Sequence, residues 1–192
     1  MGVKKIKVML EFRPLLTPSE MLQEGIFGGS YFGVQKLQGD QDYLSLFKTL
    51  GDIDPALYLG SKYSPKVNKF KVRSGMPYEY WVDMKWMHAD DPYGWFEWYI
   101  KYFNGRRHPD DDRQIRRWQD FAGTSGRWRN NIYKKIHETG DWNVSPRVQQ
   151  SLLHWGYEVN EEDYSLWCKM NDKFAPEEWC EYGGLPSPSF YQ

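Results

Sequence analysis

The sequence predicts a mainly α-helical, compact domain with one short amino-terminal strand and an irregular first third rich in glycine and aromatic residues. Three observations predict it. From Pro77 onward apolar residues recur at helical spacing. Most of these runs open on an Asp, Ser or Pro and close on a glycine. Lysine interleaved with apolar residues, the pattern of a half-solvated strand, is found at Lys4–Phe12. With 192 residues, 40% hydrophobic and 27% charged, the chain is long enough for one substantial core. A single domain over 1–192 is therefore expected, with 1–75 irregular, 76–182 the helical core and 183–192 a loose tail.

Each element has its own reason. Lys4–Phe12 alternates lysine with apolar residues, as a half-solvated strand does. Thr17, Pro18 and Glu20 give a cap, a first-position proline and the glutamate of a capping box, and Gly25 closes a short helix. Five glycines between Gly25 and Gly39, around Phe27, Tyr31 and Phe32, read as an irregular loop. A helix follows from Asp42 to Leu50. The run 60–73 carries five cations and no acid and is broken by Pro65, so it reads as an exposed basic connector. Helices are then expected at Tyr78–Met87, Pro92–Phe103, Asp110–Ala122, Arg127–His137, Pro146–Trp155 and Glu161–Met170, with a last turn at Pro176–Tyr182. Asp91 and Ser145 precede prolines and are the expected caps of two of them. The Pro92 helix has aromatics around nearly its whole circumference and should be the buried centre.

Ten Trp, 14 Tyr and 10 Phe make 18% of the chain. A core of wide rings joined by short polar contacts accounts for them, and exposed stacking platforms for bases are the sharper alternative. Cys168 and Cys180 form no CxxC pair and are expected as packed thiols. No apolar run reaches the roughly 18 residues that span a bilayer, and the start is too short and too interrupted by charge for a secretory signal. A soluble, intracellular protein without a membrane partner is the expectation.

The net charge of −1 hides a segregation. Lys101–Lys135 holds ten Lys or Arg against four Asp, while the stretch from Ile136 to the end holds three against ten. Neutralisation within the fold competes with separate basic and acidic partner surfaces. The densest cluster is GRRHPDDDRQIRRWQDFAGTSGRWRNNIYKKI, Gly105–Ile136. At 100° per residue, Arg113, Arg116 and Arg117 lie opposite Ile115, Trp118 and Phe121. In the next helix Arg127, Asn130, Asn131, Lys134 and Lys135 lie opposite Trp128, Ile132, Tyr133 and Ile136. Two helices joined by a glycine turn suit a helix-turn-helix-like reader of DNA or RNA. In it Arg106, Arg107, Arg113, Arg116, Arg117, Arg127, Lys134 and Lys135 would hold phosphates, and Arg129, Asn130 and Asn131 would meet bases.

His-x-Asp-Asp occurs twice, as His88, Asp90, Asp91 and as His108, Asp110, Asp111. Imidazoles and carboxylates are ligands for a divalent metal, and two such clusters brought together would make a hydrolytic or transferase centre. Both also sit at expected helix starts, where Asp serves as a cap. No P-loop, GxSxG, HExxH or Rossmann fingerprint is present.

The blocks DPYGWFEWYIKYFNGRRHPDDDRQIRRW and SPRVQQSLLHWGYE, with FGGSYF near Phe27, resemble a family of uncharacterised proteins found in fungi and in viral genomes. The resemblance covers most of the chain and implies no known reaction. The leading expectation is thus a nucleic-acid-binding protein. The alternatives are a small metal-dependent enzyme acting on nucleic-acid bases or nucleotides, and a structural or protein-interaction module that docks a protein partner.

Overall fold

The structure, a computed structural model, describes residues 12–33 and 43–171. Its helices are α1 (Pro18–Gln23), α2 (Tyr43–Lys48), α3 (Tyr78–Asp83), α4 (Trp95–Phe103), α5 (Asp111–Ala122), α6 (Arg127–Thr139), α7 (Pro146–Leu153) and α8 (Glu161–Met170), with one 3-10 turn at Pro55–Leu57. The expected mainly helical class is what forms. The expected strand, apart from Phe12, and the turn at Pro176–Tyr182 lie outside the described residues, as does Cys180. Cys168 is a buried free thiol.

Local chemistry sets the starts and stops. Thr17 Oγ1 accepts from the Glu20 amide, and the Glu20 carboxylate accepts from the Thr17 amide, which completes the capping box of α1. Asn160 caps α8 through the Asp163 amide, and Gly140 ends α6 in the left-handed region at φ 67°. α3 stops at Asp83 rather than Met87. It has no buried residue, and Val82 and Met84 are exposed, so no packing sustains it.

Two expected caps are corrected. α4 begins at Trp95 behind Gly94, not at Pro92, because Asp91 is fully buried in an ion pair. Ser145 adopts φ 52° and its hydroxyl accepts from Lys135 Nζ, so it leaves the α7 amides uncapped.

α4 lies at the centre. Trp95, Phe96, Glu97, Trp98, Tyr99 and Ile100 are all buried, and α1 packs against the helix. The Phe12 ring meets Trp98, Tyr99, Tyr102 and Trp118 edge-on at 5.3–5.6 Å. Many polar ends of the rings are satisfied by short contacts, although the buried Trp95 and Trp142 indole nitrogens have no acceptor among the described residues. The Trp118 indole donates to Trp155 O at 2.8 Å, the Trp98 indole to Asp111 at 2.8 Å, and the Tyr99 hydroxyl to Leu16 O at 2.9 Å. The wide-ring core is therefore where these aromatics belong.

α6 is packed by α5, α7 and α8. The α5–α6 turn is close enough that a Cβ on Gly126 would lie 2.7 Å from the Phe121 carbonyl, so only glycine fits there. The five cations of the basic connector are exposed as expected, while its backbone is anchored. Asn68 is fully buried, bonded to the Tyr63 hydroxyl at 2.6 Å and to Val72 O at 2.7 Å, and Lys69 pairs with Glu158.

Candidate metal centre and basic surface

The two His-x-Asp-Asp segments fold into the same turn. His88 O accepts from the Asp91 amide and His108 O from the Asp111 amide, each at 3.0 Å. The Asp90 amide donates to His88 Nδ1 at 3.2 Å, and the Asp110 amide to His108 Nδ1 at 3.1 Å. With Nδ1 accepting from an amide, each ring turns its Nε2 outward from its own turn as a donor. His108 Nε2 lies 2.9 Å from Asp90 Oδ2, so the second turn is tied to the first.

The surroundings aim these groups. The first turn precedes α4 and the second joins α4 to α5. Lys101, on α4, donates to Asp90 O at 2.6 Å and to Glu97 Oε1 at 2.8 Å, and lies 3.1 Å from Asp91. Arg106 grips Asp91 with two bonds of 2.7 and 2.6 Å. Glu97, Lys101, Asp91 and Arg106 thus alternate in charge under the first turn, and burial pushes the Glu97 carboxyl up while Lys101 opposes it. In the second turn Asp111 accepts from the Trp98 indole and the His108 amide, at 2.8 and 2.9 Å. Asp110 accepts from Arg113 at 2.6 and 2.7 Å and from Gln114 at 2.9 Å.

Of the six expected metal ligands, the structure therefore converges three. One ligand atom each from His88, Asp90 and His108 lies within 4.8 Å of the others, the histidines half-buried and Asp90 exposed. Asp91, Asp110 and Asp111 are engaged by protein donors. Two imidazoles and one carboxylate match an open divalent site with coordination positions left for water or substrate.

The expected nucleic-acid residues are dispersed. Arg106 and Arg113 are held by Asp91 and Asp110. Arg129 is buried: it pairs with Asp163 at 2.9 Å and lies 4.6 Å from the Tyr157 ring centroid, so it faces the core and not a base. Asn130 donates to Thr124 O and Gly126 O and accepts from the Trp167 indole, which uses its amide internally. Lys135 donates to Ser145, and Lys134 lies 3.7 Å from Glu138. Arg117 is half-buried, its guanidinium carbon 5.7 Å from the Trp86 ring centroid and 5.5 Å from that of Trp155, and does not stand outward. Arg107, Arg116 and Arg127 are exposed, and Asn131 is half-buried. Arg129–Asp163 and Lys69–Glu158 show part of the basic segments neutralised by the acidic end.

Sequence reasoning missed the Glu97–Lys101 pair, although its four-residue spacing in the central helix was a usable signal. It also missed the indole clamp on Arg117, which has no local signal because Trp86 and Trp155 are far apart in the chain. No helix among the described residues is long and apolar enough to cross a membrane. Comparisons with protein-family models, with curated proteins and with solved structures returned no match.

Proposed function

We propose that the protein binds a divalent transition metal through His88, Asp90 and His108 and is a metal-dependent enzyme acting on nucleotides or nucleic-acid bases. The convergence of those three ligand atoms within 4.8 Å carries the reading. A bound metal would supply Lewis-acid polarisation and an activated water. The chain supplies the rest. Lys101 holds the backbone of the Asp90 turn, and a metal at His108 Nε2 would displace the proton that this nitrogen holds toward Asp90, shifting it to Nδ1. Arg107, next to His108 and exposed, offers a cation for a substrate phosphate.

The test is direct titration of the metal-free protein with Co²⁺ and Zn²⁺. Binding of one equivalent per chain with visible Co²⁺ bands is expected, lost in His108→Ala and Asp90→Asn and kept in Asp110→Asn, whose carboxylate is already held by Arg113. No binding at about 100 μM metal, a Kd limit near −5.5 kcal/mol, would sink the reading.

A second reading, binding to DNA or RNA, is favoured by one observation. Among the described residues Arg107, Arg116 and Arg127 are exposed and in no ion pair. With three such contacts, log K should fall with log salt at a slope of about −3. Absence of binding at low salt excludes it.

A further inference from the structure

Arg117, on α5, is held unlike any other cation among the described residues. Its guanidinium carbon lies 5.7 Å from the Trp86 ring centroid and 5.5 Å from that of Trp155, so indoles flank it. Nη1 donates to Gln114 Oε1 at 3.0 Å and reaches Trp86 O at 3.5 Å. Among the described residues no carboxylate lies within ion-pair distance of it, and Asp110, which acts on it through space, is itself held by Arg113 and Gln114. Nε and Nη2 donate to no protein group among the described residues, and the side chain is half-buried rather than sealed.

A partly desolvated guanidinium without a counter-ion is unfavourable, and a fold that needed only packing would be served as well by a neutral side chain. Burial, with Arg113 adding a like charge, pushes the Arg117 guanidinium down to about 10. The geometry points the same way. Nη1 is pinned by Gln114 and the Trp86 carbonyl, two indoles lie beside the fork, and the Nε/Nη2 edge is left without a protein acceptor among the described residues. Two parallel N–H donors at that edge are the match for two coplanar oxygens.

We infer that Arg117 is the anion-recognition residue of a ligand site, taking the carboxylate or phosphate of a small molecule on its Nε/Nη2 edge between Trp86 and Trp155. The site does not depend on the metal reading, because none of its residues is a proposed metal ligand.

The experiment follows the Arg117 Nε–H resonance in the ¹⁵N-labelled full chain, assigned by its disappearance in Arg117→Lys, during titration with phosphate, acetate or chloride at matched ionic strength. A saturable downfield shift with phosphate or acetate but not chloride is expected, with a Kd of about 1–10 mM for so small a probe. The Trp86 indole resonance should move with it, as should the melting temperature. Tighter phosphate binding identifies a phosphate ligand, and tighter acetate binding a carboxylate one. No saturable shift with either anion overturns the inference, as does an anion-induced rise in melting temperature that persists undiminished in Arg117→Lys. If the variant fails to fold, the Nε–H is assigned in the wild-type chain by side-chain through-bond correlation from the Arg117 backbone, and the same titration decides the inference.

Discussion

Arg106 meets the fully buried Asp91 edge-on, Nη1 donating to Oδ1 at 2.7 Å and Nη2 to Oδ2 at 2.6 Å. That pair, with Lys101 beside it, fixes the turn that carries His88 and Asp90. Removing one partner leaves a buried charge short of its counter-ion. Arg106→Met should lower stability by roughly 3 kcal/mol in urea unfolding. The double variant Arg106→Met, Asp91→Leu should recover about 1–3 kcal/mol of that loss as coupling energy. Additive single effects would show that the pair does not hold the turn.

Arg129 and Arg116 sit on neighbouring basic helices and should behave oppositely. Arg129 is buried, paired with Asp163 and close to the Tyr157 ring. Arg129→Ala should therefore cost about 3 kcal/mol. Arg116 is exposed and makes no ion pair among the described residues, so Arg116→Ala should stay within about 0.5 kcal/mol. Chemical unfolding of both variants decides it, and equal losses would contradict the placement.

Those two arginines also mark where the sequence was legible. Local signals read well: the Thr17 box and the Gly140 stop each act within one turn of the chain. The outward face of α6 did not, because a wheel assumes one packed side, whereas α5, α7 and α8 all contact α6 and leave only a narrow outer stripe. The repeated His-x-Asp-Asp was visible. Which aspartates would be consumed was not, since Arg106 and Arg113 decide it through side-chain contacts that spacing does not encode.

Gly126 tests the closeness of the α5–α6 turn. Its added Cβ would lie 2.7 Å from the Phe121 carbonyl carbon and oxygen, and backbone has no rotamer with which to yield. Gly126→Ala should destabilise by about 2 kcal/mol or more through forced separation of the two helices. Thermal unfolding measures it. A neutral outcome would mean that the turn opens without cost to the packing of α5 on α6.

His154 should give the fold an acid sensitivity of its own. Burial, opposed by its contact with Ile26 O at 3.2 Å, pushes this imidazole down from the ordinary 6.5 to about 4. Between those values the unfolded chain binds a proton that the folded chain refuses, so stability is full above about 6.5 and falls as the pH drops toward 4. The slope should approach about 1.4 kcal/mol per pH unit, for a total of roughly 3 kcal/mol. Below about 4 both states are protonated and this contribution stops changing. His154→Gln keeps a donor for Ile26 O and removes the titration. Urea midpoints measured from pH 4 to 7.5 should therefore fall more steeply with acid in the wild type than in the variant. Parallel curves would place the proton-linked loss on other groups and show that His154 ionises as freely in the fold as in the unfolded chain.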